Sequence, residues 1–542
     1  MEPRGSSERA AESHDVVIIG AGFSGLYMLH RARDVLGLDA VVFEAGGGVG
    51  GTWYWNRYPG ARCDSESYYY SYSFSEELEQ EWEWTSKYPA QPEILRYLEH
   101  VADRFDLRRD IELGTRVESA TFDDATSRWV VRTDAGQVVS AQFLVSAVGC
   151  LSAANIPAIA GLERFRGKWF HTGRWPHDGV EFSGKRVGLI GTGSTGIQAT
   201  PVIAAEADHL TVFQRTANYS VPARNGPLTA ERAAEIKATY PAIRQHARSS
   251  FGGFPFDPSG RSALEHSAEE RQAIYEELWR EGGFKFLFGS FYDILFNEEA
   301  NTTAAEFIRS KIREVVRDPD VAEVLAPKDH PYGSKRPPID SGYFATFNRD
   351  NVTLVDLRAT PIEEITENGV RTTAGDHELD VIVFATGFDA MTGALLKIDI
   401  RGRDSLSLRD KWADGPRTYL GLQVAGFPNL FTITGPGSPS VLSNMPVSIE
   451  QHVEWIADCI SHVRQTGATT IEATASAEEA WVDHVAEIAE LTLFAKANSW
   501  YLGANIPGKQ RVFMPYVGGV ATYRQRCDDV AAAGYEGFAI SA

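Results

Sequence analysis

Two stretches of the chain share one pattern of apolar and polar positions. The apolar run DVVIIG enters a glycine turn, the helical pattern SGLYMLHRARDVLG follows, and the apolar run DAVVFE ends at Glu44. KRVGLIGTGSTGIQAT and then HLTVFQR repeat this order further along the chain. Each stretch predicts a strand, a turn, a helix and a second strand. Glycines at GxGxxG spacing mark both turns: Gly20, Gly22 and Gly25 in the first, Gly191, Gly193 and Gly196 in the second.

These two units predict two dinucleotide sites of different preference. Glycines let the backbone approach a pyrophosphate at the positive end of the following helix. The second strand of the first unit ends in Glu44, and at the same distance from the last glycine the second unit has Arg215. A carboxylate accepts hydrogen bonds from a ribose diol, whereas an arginine pairs with a ribose 2′-phosphate. The first site therefore suits FAD and the second NADPH, with a solvated surface role as the alternative for Arg215.

The rest of the chain predicts how these units are arranged. Between about residues 222 and 327 the pattern is helical: SAEERQAIYEELWREGG carries a capping box of Ser267 and Glu270, and TAAEFIRSKIREVVRD repeats the spacing with Thr303 and Glu306. Strand patterns return at NVTLVD, HELDVIVFATGFD and GFPNLFTITGPG. We expect an α/β fold with two Rossmann-like domains: 1–150 and 386–542 for FAD, 151–222 and 330–385 for NADP, and a helical insertion in the NADP domain at 223–329.

Composition excludes several other classes of protein. The chain has 542 residues, 43% of them hydrophobic, and no apolar run long enough to cross a bilayer, so we expect no membrane partner. A net charge of −21 without a long basic run argues against nucleic acid. The N-terminal residues 1–14 lack a secretory pattern and predict a frayed tail. Four scattered cysteines predict neither disulfides nor a zinc site, and a cytoplasmic setting follows. The oligomeric state is left open.

Two further motifs lie beside the glycine loops. GGTWYWNRYPGARCD follows the first unit and ends at Asp64, which either holds a cation near the cofactor or forms a turn. FRGKWFHTGRWPHDG precedes the second unit. Its first twelve residues have the form FxGxxxHxxxWP and contain one histidine and no cysteine to complete a metal site, so we predict no metal. Its fixed positions are Phe165, Gly167, His171, Trp175 and Pro176.

With these motifs the chain resembles the type I Baeyer–Villiger monooxygenases over nearly its whole length from Asp15, with closest likeness to phenylacetone, steroid and cyclohexanone monooxygenases. The FxGxxxHxxxWP motif matches that family's long fingerprint, the stretch from Gly51 to Asp64 matches its second motif, and both glycine loops occur in the family's order. The resemblance implies that NADPH reduces FAD and that a flavin C4a-peroxide formed with O2 attacks a ketone, giving an ester or a lactone. It also makes the fingerprint the linker that couples the two nucleotide domains.

The same resemblance implies roles for individual residues. Arg336 in PYGSKRPPID matches the active-site arginine, which Asp64 would hold in place, and Lys335 matches a contact to the NADP phosphate. Trp500 matches a tryptophan of a mobile loop over the substrate, with a buried core position as its alternative, and Leu442 lies in the predicted wall of the substrate pocket. Pro337 and Pro338 depart from the family pattern. The implied cofactor contacts are Ser24, Thr52, Trp53, Tyr70 and Met445 for FAD, and Thr192, Ser194, Thr195 and Thr216 for NADP, beside the glycines, Glu44, Asp64, Arg215, Lys335 and Arg336 already named.

Two other functions compete with ketone oxygenation. The first is a flavin enzyme that oxygenates sulfur or nitrogen, which would not need Arg336 for ester formation. The second is a non-catalytic dinucleotide-binding protein that senses redox state, for which the charged pair of Asp64 and Arg336 would have no purpose. The sequence does not specify the ketone or which bond is oxygenated.

Overall fold

The protein is described from a computed structural model that covers residues 12–542. Within these residues the strands, in chain order, are β1 (Glu12–Ile19), β2 (Ala40–Glu44), β3 (Ile111–Leu113), β4 (Val117–Asp123), β5 (Arg128–Thr133), β6 (Val138–Ser146), β7 (Lys168–His171), β8 (Arg186–Ile190), β9 (His209–Gln214), β10 (Val221–Pro222), β11 (Ile339–Asp340), β12 (Val352–Asp356), β13 (Ile362–Thr366), β14 (Gly369–Thr372), β15 (Gly375–Glu378), β16 (Val381–Phe384), β17 (Asp399–Arg401), β18 (Leu430–Thr432), β19 (Thr470–Ala473) and β20 (Phe538–Ser541).

The α-helices of the same residues connect and cover these strands. They are α1 (Phe23–His30), α2 (Thr52–Trp55), α3 (Glu76–Glu81), α4 (Gln91–Arg104), α5 (Ser194–Glu206), α6 (Ala230–Ser249), α7 (Ala268–Glu281), α8 (Lys285–Gly289), α9 (Glu298–Val315), α10 (Pro319–Leu325), α11 (Tyr343–Thr346), α12 (Leu408–Lys411), α13 (Met445–Gln465), α14 (Ala475–Glu490) and α15 (Val520–Ala532). None of these helices is both long and apolar enough to cross a lipid bilayer.

Two separate sheets carry the two glycine units. The first sheet has the order β17-β4-β5-β6-β1-β2-β3, with β18 paired to β6, and β1 and β2 run parallel as a dinucleotide unit requires. The second sheet, β12-β9-β8-β16-β7, is parallel throughout. The predicted α/β fold with two Rossmann-like units is confirmed. The strands that lead into the two glycine loops end in buried apolar runs, Val16–Ile19 in β1 and Val187–Ile190 in β8, as expected for central parallel strands.

The first strand begins earlier than the apolar pattern predicted. Glu12, Ser13 and His14 are polar, yet they continue β1 by pairing in parallel with Val139, Ser140 and Ala141 of β6. Backbone hydrogen bonds, which do not depend on side-chain polarity, extend the strand here. The part of the predicted frayed tail at 1–11 lies outside the described residues, and for residues 12–14 the prediction was wrong.

The helical block between the strands of the second unit contains α6 to α10. Ser267 caps α7 with the predicted capping box, and Gly282 ends that helix with a positive φ of 74°, which favours glycine. The second predicted box was wrong, because α9 begins at Glu298 with Asn297 as its N-cap, which places Thr303 inside the helix. The Thr303 hydroxyl donates instead to the carbonyl of Ala300, a local bond that interior threonines often make.

One helix of this block is attached to the other half of the molecule. Arg244 of α6 is buried and its guanidinium donates to Glu79 Oε1 at 2.6 Å, to Ser71 Oγ at 2.8 Å and to the carbonyl oxygens of Ser71 and Tyr72. All these partners follow the first glycine unit in sequence. The insertion therefore bridges the two halves, with α6 held by the first and the core of α7 to α10 packed with the second sheet.

Candidate active site

Each glycine loop shows the close packing that a dinucleotide turn needs. A Cβ on Gly25 would lie 1.7 Å from the carbonyl oxygen of Gly20, and one on Gly196 would lie 2.1 Å from that of Gly191, so the third glycine of each loop lets the helix pack on its strand. Helices α1 and α5 begin at Gly22 and Gly193, and neither receives a side-chain cap from the described residues. Their first N–H groups thus remain available to a pyrophosphate, which fits the predicted cofactors.

Glu44 stands at the carboxyl end of β2, beside the first loop. Its Oε2 accepts from the backbone N–H of Ala21 at 2.7 Å and its Oε1 from that of Gly46 at 2.6 Å. Burial raises the pKa of Glu44, and the two N–H groups oppose that shift. The carboxylate is therefore fixed at the strand end, with lone pairs left over for a ribose diol. Ser24 is buried in the first turn of α1.

Positive charge gathers at the end of the second unit. Arg215 is exposed directly after β9, and its carbonyl accepts from Nε of Arg358 at 2.9 Å. Burial lowers the pKa of Lys335; Asp329 opposes this shift, while Arg215 and Arg358 add to it. Three cations with one nearby carboxylate suit a dianionic phosphate. The Thr192 hydroxyl donates to the carbonyl of Thr216 at 2.8 Å and ties the loop to this strand end.

The segment formed by residues 50–64 touches both units. Gly51 packs on the first loop, where a Cβ on Gly51 would lie 2.9 Å from the Cα of Gly22. Tyr58 donates its hydroxyl to Gln198 Oε1 of α5 at 2.7 Å, and Gly60 packs on the backbone of the same helix. Between these points lies α2, with Thr52 at its start and Trp53 donating Nε1 to the Tyr70 hydroxyl at 3.3 Å.

At its far end this segment places Asp64 against Arg336. Nε of Arg336 donates to Oδ2 of Asp64 at 2.7 Å and Nη2 donates to Oδ1 at 2.8 Å, a bidentate pair. Nη1 donates to the carbonyl of Val441 at 2.8 Å, and the guanidinium lies 4.8 Å from the centre of the Phe284 ring. Burial alone would lower the pKa of Arg336, but Asp64 outweighs it and the pKa is raised. The guanidinium is a permanent, oriented cation.

Arg336 forms part of the wall of an otherwise apolar cavity. Pro337 and Leu442 also line it. The polar side chains that reach it besides Arg336 are Ser443, Thr492, Tyr501 and Tyr516. Six phenylalanines supply much of the remaining surface: Phe251, Phe254, Phe284, Phe288, Phe296 and Phe494. Such a lining suits an apolar molecule with one polar group directed at the arginine.

The proline pair after Arg336 leads into a segment that is held by hydrogen bonds. The carbonyl of Pro338 accepts from the backbone N–H of Val221 at 3.1 Å and from the Ser220 hydroxyl at 3.1 Å. Ile339 then pairs with Val221 in the small sheet of β10 and β11. These bonds fix the residues that follow Arg336, while Asp64 and Val441 fix its side chain.

The fingerprint segment lies where the chain crosses between the two sheets. His171 ends β7, which pairs with β16 just before the turn ATGFD, and its Nδ1 accepts from the backbone N–H of Gly173 at 3.0 Å. Burial lowers the pKa of His171 to about 4, so the ring is neutral near pH 7. Trp175 is buried between Phe170 and Phe182. A Cβ on Gly167 would lie 2.4 Å from the carbonyl oxygen of Asp380. Phe165 and Pro176 are partly buried.

The remaining predicted positions lie around the cavity and the first loop. Met445 begins α13 and packs between two parts of the core. Trp500 is partly buried, with its ring centroid 4.3 Å from that of Tyr501, and it is therefore neither a fully buried core residue nor a free surface one. Ser194 and Thr195 form the first turn of α5.

Sequence reasoning missed several residues of the site. Phe284 and Tyr501 flank Arg336, and Gln198 holds the segment of residues 50–64 to α5. The signal for the cavity was present in two phenylalanine-rich stretches: FGGFPF, which follows α6, and FKFLFG, which contains α8. No signal marks Gln198, because its role depends on a contact 140 residues away in sequence.

Two dinucleotide units, with an oriented cation in the wall of a largely apolar cavity, define an oxidoreductase that uses two nucleotides, one of them suited to carry an additional phosphate. The family described as flavin-binding monooxygenase-like matches residues 13–225. The Baeyer–Villiger monooxygenase of Pseudooceanicola batsensis is 48% identical over 96% of this chain and 95% of its own. The phenazine N-monooxygenase of Lysobacter antibioticus is 46% identical over 97% and 96%. An oxidized steroid monooxygenase bound to NADP superposes with a TM-score of 0.93 at 58% identity, covering 98% of this chain and 99% of that one.

The chain belongs to the Baeyer–Villiger monooxygenases, FAD- and NADP-dependent enzymes. The resemblance stated from the sequence is thereby confirmed, as are the two cofactors and the class of reaction. An enzyme of this family is not a non-catalytic redox sensor, so that alternative is set aside.

Proposed function

We propose that this chain oxygenates bulky apolar ketones, aromatic or polycyclic, to esters or lactones with NADPH and O2. The observation that carries the proposal is the position of Arg336 in the wall of a cavity whose other surface is largely phenylalanine, leucine and valine. A ketone has one polar atom on an apolar body, which is the complement of that cavity. The oxidized steroid monooxygenase, at 58% identity, supports a polycyclic ketone.

Residues of this chain supply charge and geometry to the reaction. FAD, when bound, supplies the oxygen-transfer chemistry, and the two uncapped helix starts with Glu44 would hold it and NADP. Arg336 presents a permanent positive charge where negative charge develops on the reacting oxygens. Asp64 orients that charge through two hydrogen bonds and compensates it, so the guanidinium stays in a site with little water. The phenylalanines exclude water and hold the ketone body.

The domain boundaries predicted from the sequence are part of the proposal. Residues 1–150 and 386–542 would form the FAD domain, 151–222 and 330–385 the NADP domain, and 223–329 the insertion. Support comes from the sheets: strands of the first lie within 12–146 and 399–432, and strands of the second lie within 168–214 and 352–384. We also propose a cytoplasmic setting, supported by the four cysteines, which are buried free thiols.

The proposal is tested by product analysis on the purified yellow protein. NADPH consumption is followed with phenylacetone, cyclohexanone and a steroid ketone in turn, while ester, lactone and hydrogen peroxide are quantified. We expect ester or lactone in step with NADPH oxidation, with the steroid and aryl ketones ahead of cyclohexanone in kcat/KM. Cyclohexanone as the best substrate would contradict the proposed preference for aromatic and polycyclic ketones, and hydrogen peroxide alone across the panel would contradict the reaction.

Nitrogen oxygenation is the second candidate, favoured by the 46% identity to the phenazine N-monooxygenase. A soft nucleophile such as a ring nitrogen or a sulfide needs no cation to stabilise a carbonyl oxygen. The variant Arg336→Ala separates the two reactions. Loss of ester with retained oxygenation of a sulfide or an N-heterocycle supports distinct demands on Arg336, and normal ester formation would remove the role assigned to it.

A further inference from the structure

A polar cleft lies between α6 and α15, on the side of the insertion that faces the first half of the molecule. Three arginines line it, Arg244 and Arg248 from α6 and Arg524 from α15. Its other polar residues are Ser73, Glu76, Glu79, Gln245, Ser249, Gln525 and Asp528. Three guanidinium groups around one cleft are unexpected in a chain of net charge −21, and nothing in the ketone reaction uses them.

The three arginines differ in how well they are satisfied. Arg244 uses its N–H groups on Glu79, Ser71 and Tyr72 and is a structural residue. Arg248 donates Nη2 to the Ser73 hydroxyl at 2.8 Å. Nε and Nη2 of Arg524 are shielded from solvent and have no hydrogen-bond partner among the described residues. A shielded N–H without an acceptor costs roughly 1–3 kcal/mol, more when the group is charged.

The carboxylates of the cleft do not supply that acceptor. Glu79 is held by Arg244, and Glu450, beneath the cleft, accepts from the backbone N–H and the hydroxyl of Ser73. Glu76 and Asp528 are exposed, where water screens them. Between residues 12 and 542 neither accepts the unpartnered N–H groups of Arg524, although the charge of Arg524 acts on Asp528 and opposes the rise in its pKa that burial causes.

We propose that Arg248 and Arg524 bind a small oxyanion, a carboxylate or a phosphate, in this cleft. Guanidinium groups match the planar or tetrahedral oxygens of such anions, and these two line the same cleft from the two helices that form it. A bound anion would also affect the substrate cavity, because both helices of the cleft are joined to its wall. The carbonyl of Phe251, two residues beyond α6, accepts from the backbone N–H of Val520 at the start of α15, and Phe251 and Gly519 line that cavity. An anion between the helices would fix this wall.

The experiment measures the thermal unfolding midpoint of the FAD-bound enzyme with saturating NADP⁺, which fills the phosphate site near Lys335. Inorganic phosphate and succinate are titrated to about 50 mM against sodium chloride of equal ionic strength. We expect a rise of about 2 °C with at least one anion. Phosphate alone identifies a phosphate site, succinate alone a carboxylate site, and both a site that reads only the oxyanion charge.

Variants decide whether the rise comes from the cleft. Phosphate also stabilises proteins by exclusion from their surface, so the difference between variants is the result and not the rise itself. Arg524→Gln and Arg248→Gln should each remove most of the rise, and Arg526→Gln, an exposed arginine on the same helix, should keep it. An equal rise in the double variant of Arg248 and Arg524, or no rise above chloride in the parent, would overturn the proposal. Isothermal titration of the same anion into parent and double variant provides the second readout.

Discussion

The pair of Asp64 and Arg336 gives the sharpest test of the reaction site. In Asp64→Asn the side chain keeps its shape and one carbonyl oxygen, but it loses its charge and one of the two acceptor oxygens that now receive Nε and Nη2. The guanidinium then keeps its bond to the Val441 carbonyl and its contact with the Phe284 ring. It remains in the cavity, less well oriented and with its charge uncompensated.

The magnitude follows from the lost bond. A hydrogen bond to a charged group is worth about 1.5–3 kcal/mol, and each 1.36 kcal/mol corresponds to a factor of ten in rate. If most of this energy serves to orient the cation toward the reacting oxygens, ester formation falls by about 10- to 100-fold. Because the side chains of Arg336 and Asp64 are 22% and 19% exposed, water partly replaces the lost partner, which favours the lower half of that range.

The assay separates the two halves of the catalytic cycle. The rate of flavin reduction by NADPH is measured anaerobically, and the ester formed per NADPH is measured in air. We expect the ester yield to fall and hydrogen peroxide to rise, because NADPH consumption continues when oxygen transfer fails. Glu66→Gln is the matched control: it makes the same change two residues away, where the carboxylate accepts from the Tyr88 hydroxyl and does not touch Arg336. Ester formation in Asp64→Asn within twofold of the parent, at equal FAD occupancy, would refute the reasoning.

Three further predictions concern the cofactor loops and the fingerprint. Arg215→Ala should raise KM for NADPH by about 10-fold or more and leave KM for NADH nearly unchanged, since only NADPH carries the 2′-phosphate. Equal effects on both cofactors would contradict this, and so would the same effect in Arg132→Ala, a control at an exposed arginine. Burial lowers the pKa of His171 to about 4, so between pH 6.5 and pH 4 this residue binds fewer protons in the folded protein than in the unfolded chain. The stability that the neutral ring contributes is therefore complete above pH 6.5 and is lost as pH falls toward 4. The free energy of unfolding, measured with denaturant, should therefore fall by about 2 kcal/mol less between pH 6.5 and pH 5 in His171→Gln than in the parent. An equal fall in both proteins would argue against a buried neutral ring. Gly25→Ala places a Cβ 1.7 Å from the Gly20 carbonyl oxygen and should yield protein without bound flavin, measured as the visible flavin absorbance per chain; full occupancy would contradict the packing.

The parts of the fold that sequence could predict are those governed by local patterns. The glycine loops, the strands they follow and Glu44 at a strand end depend on residues within about 25 positions of each other, and each lies where the spacing placed it. The capping box of Ser267 is equally local. The failure at Thr303 has a physical cause: the same residue types serve at a helix start and one turn inside it, and Asn297 upstream caps the helix with two N–H bonds.

The parts that sequence could not predict are contacts between distant segments. Asp64 and Arg336 are 272 residues apart, and only the family resemblance paired them. The buried Arg244 appears in a polar helical pattern that says nothing of its four partners in the other half. The cavity phenylalanines lie in loops and in short helical segments such as α8, which are too short for a periodic pattern to show which way their side chains point. Charge and residue type identify candidate site residues, but only the folded structure shows which of them lie together.

The segment of residues 50–64 has a consequence for what evolution and engineering can change. It is fastened to the first loop at Gly51, to α5 at Tyr58 and Gly60, and to the arginine at Asp64. Most surface loops tolerate insertions because the added residues can bulge outward into solvent. Here the number of residues between the fixed points sets the distance from the first glycine loop to the Arg336 guanidinium. Point substitutions between the fixed points leave that spacing unchanged, whereas the insertion or deletion of a single residue alters it. Insertions and deletions among functional relatives should therefore avoid residues 50–64.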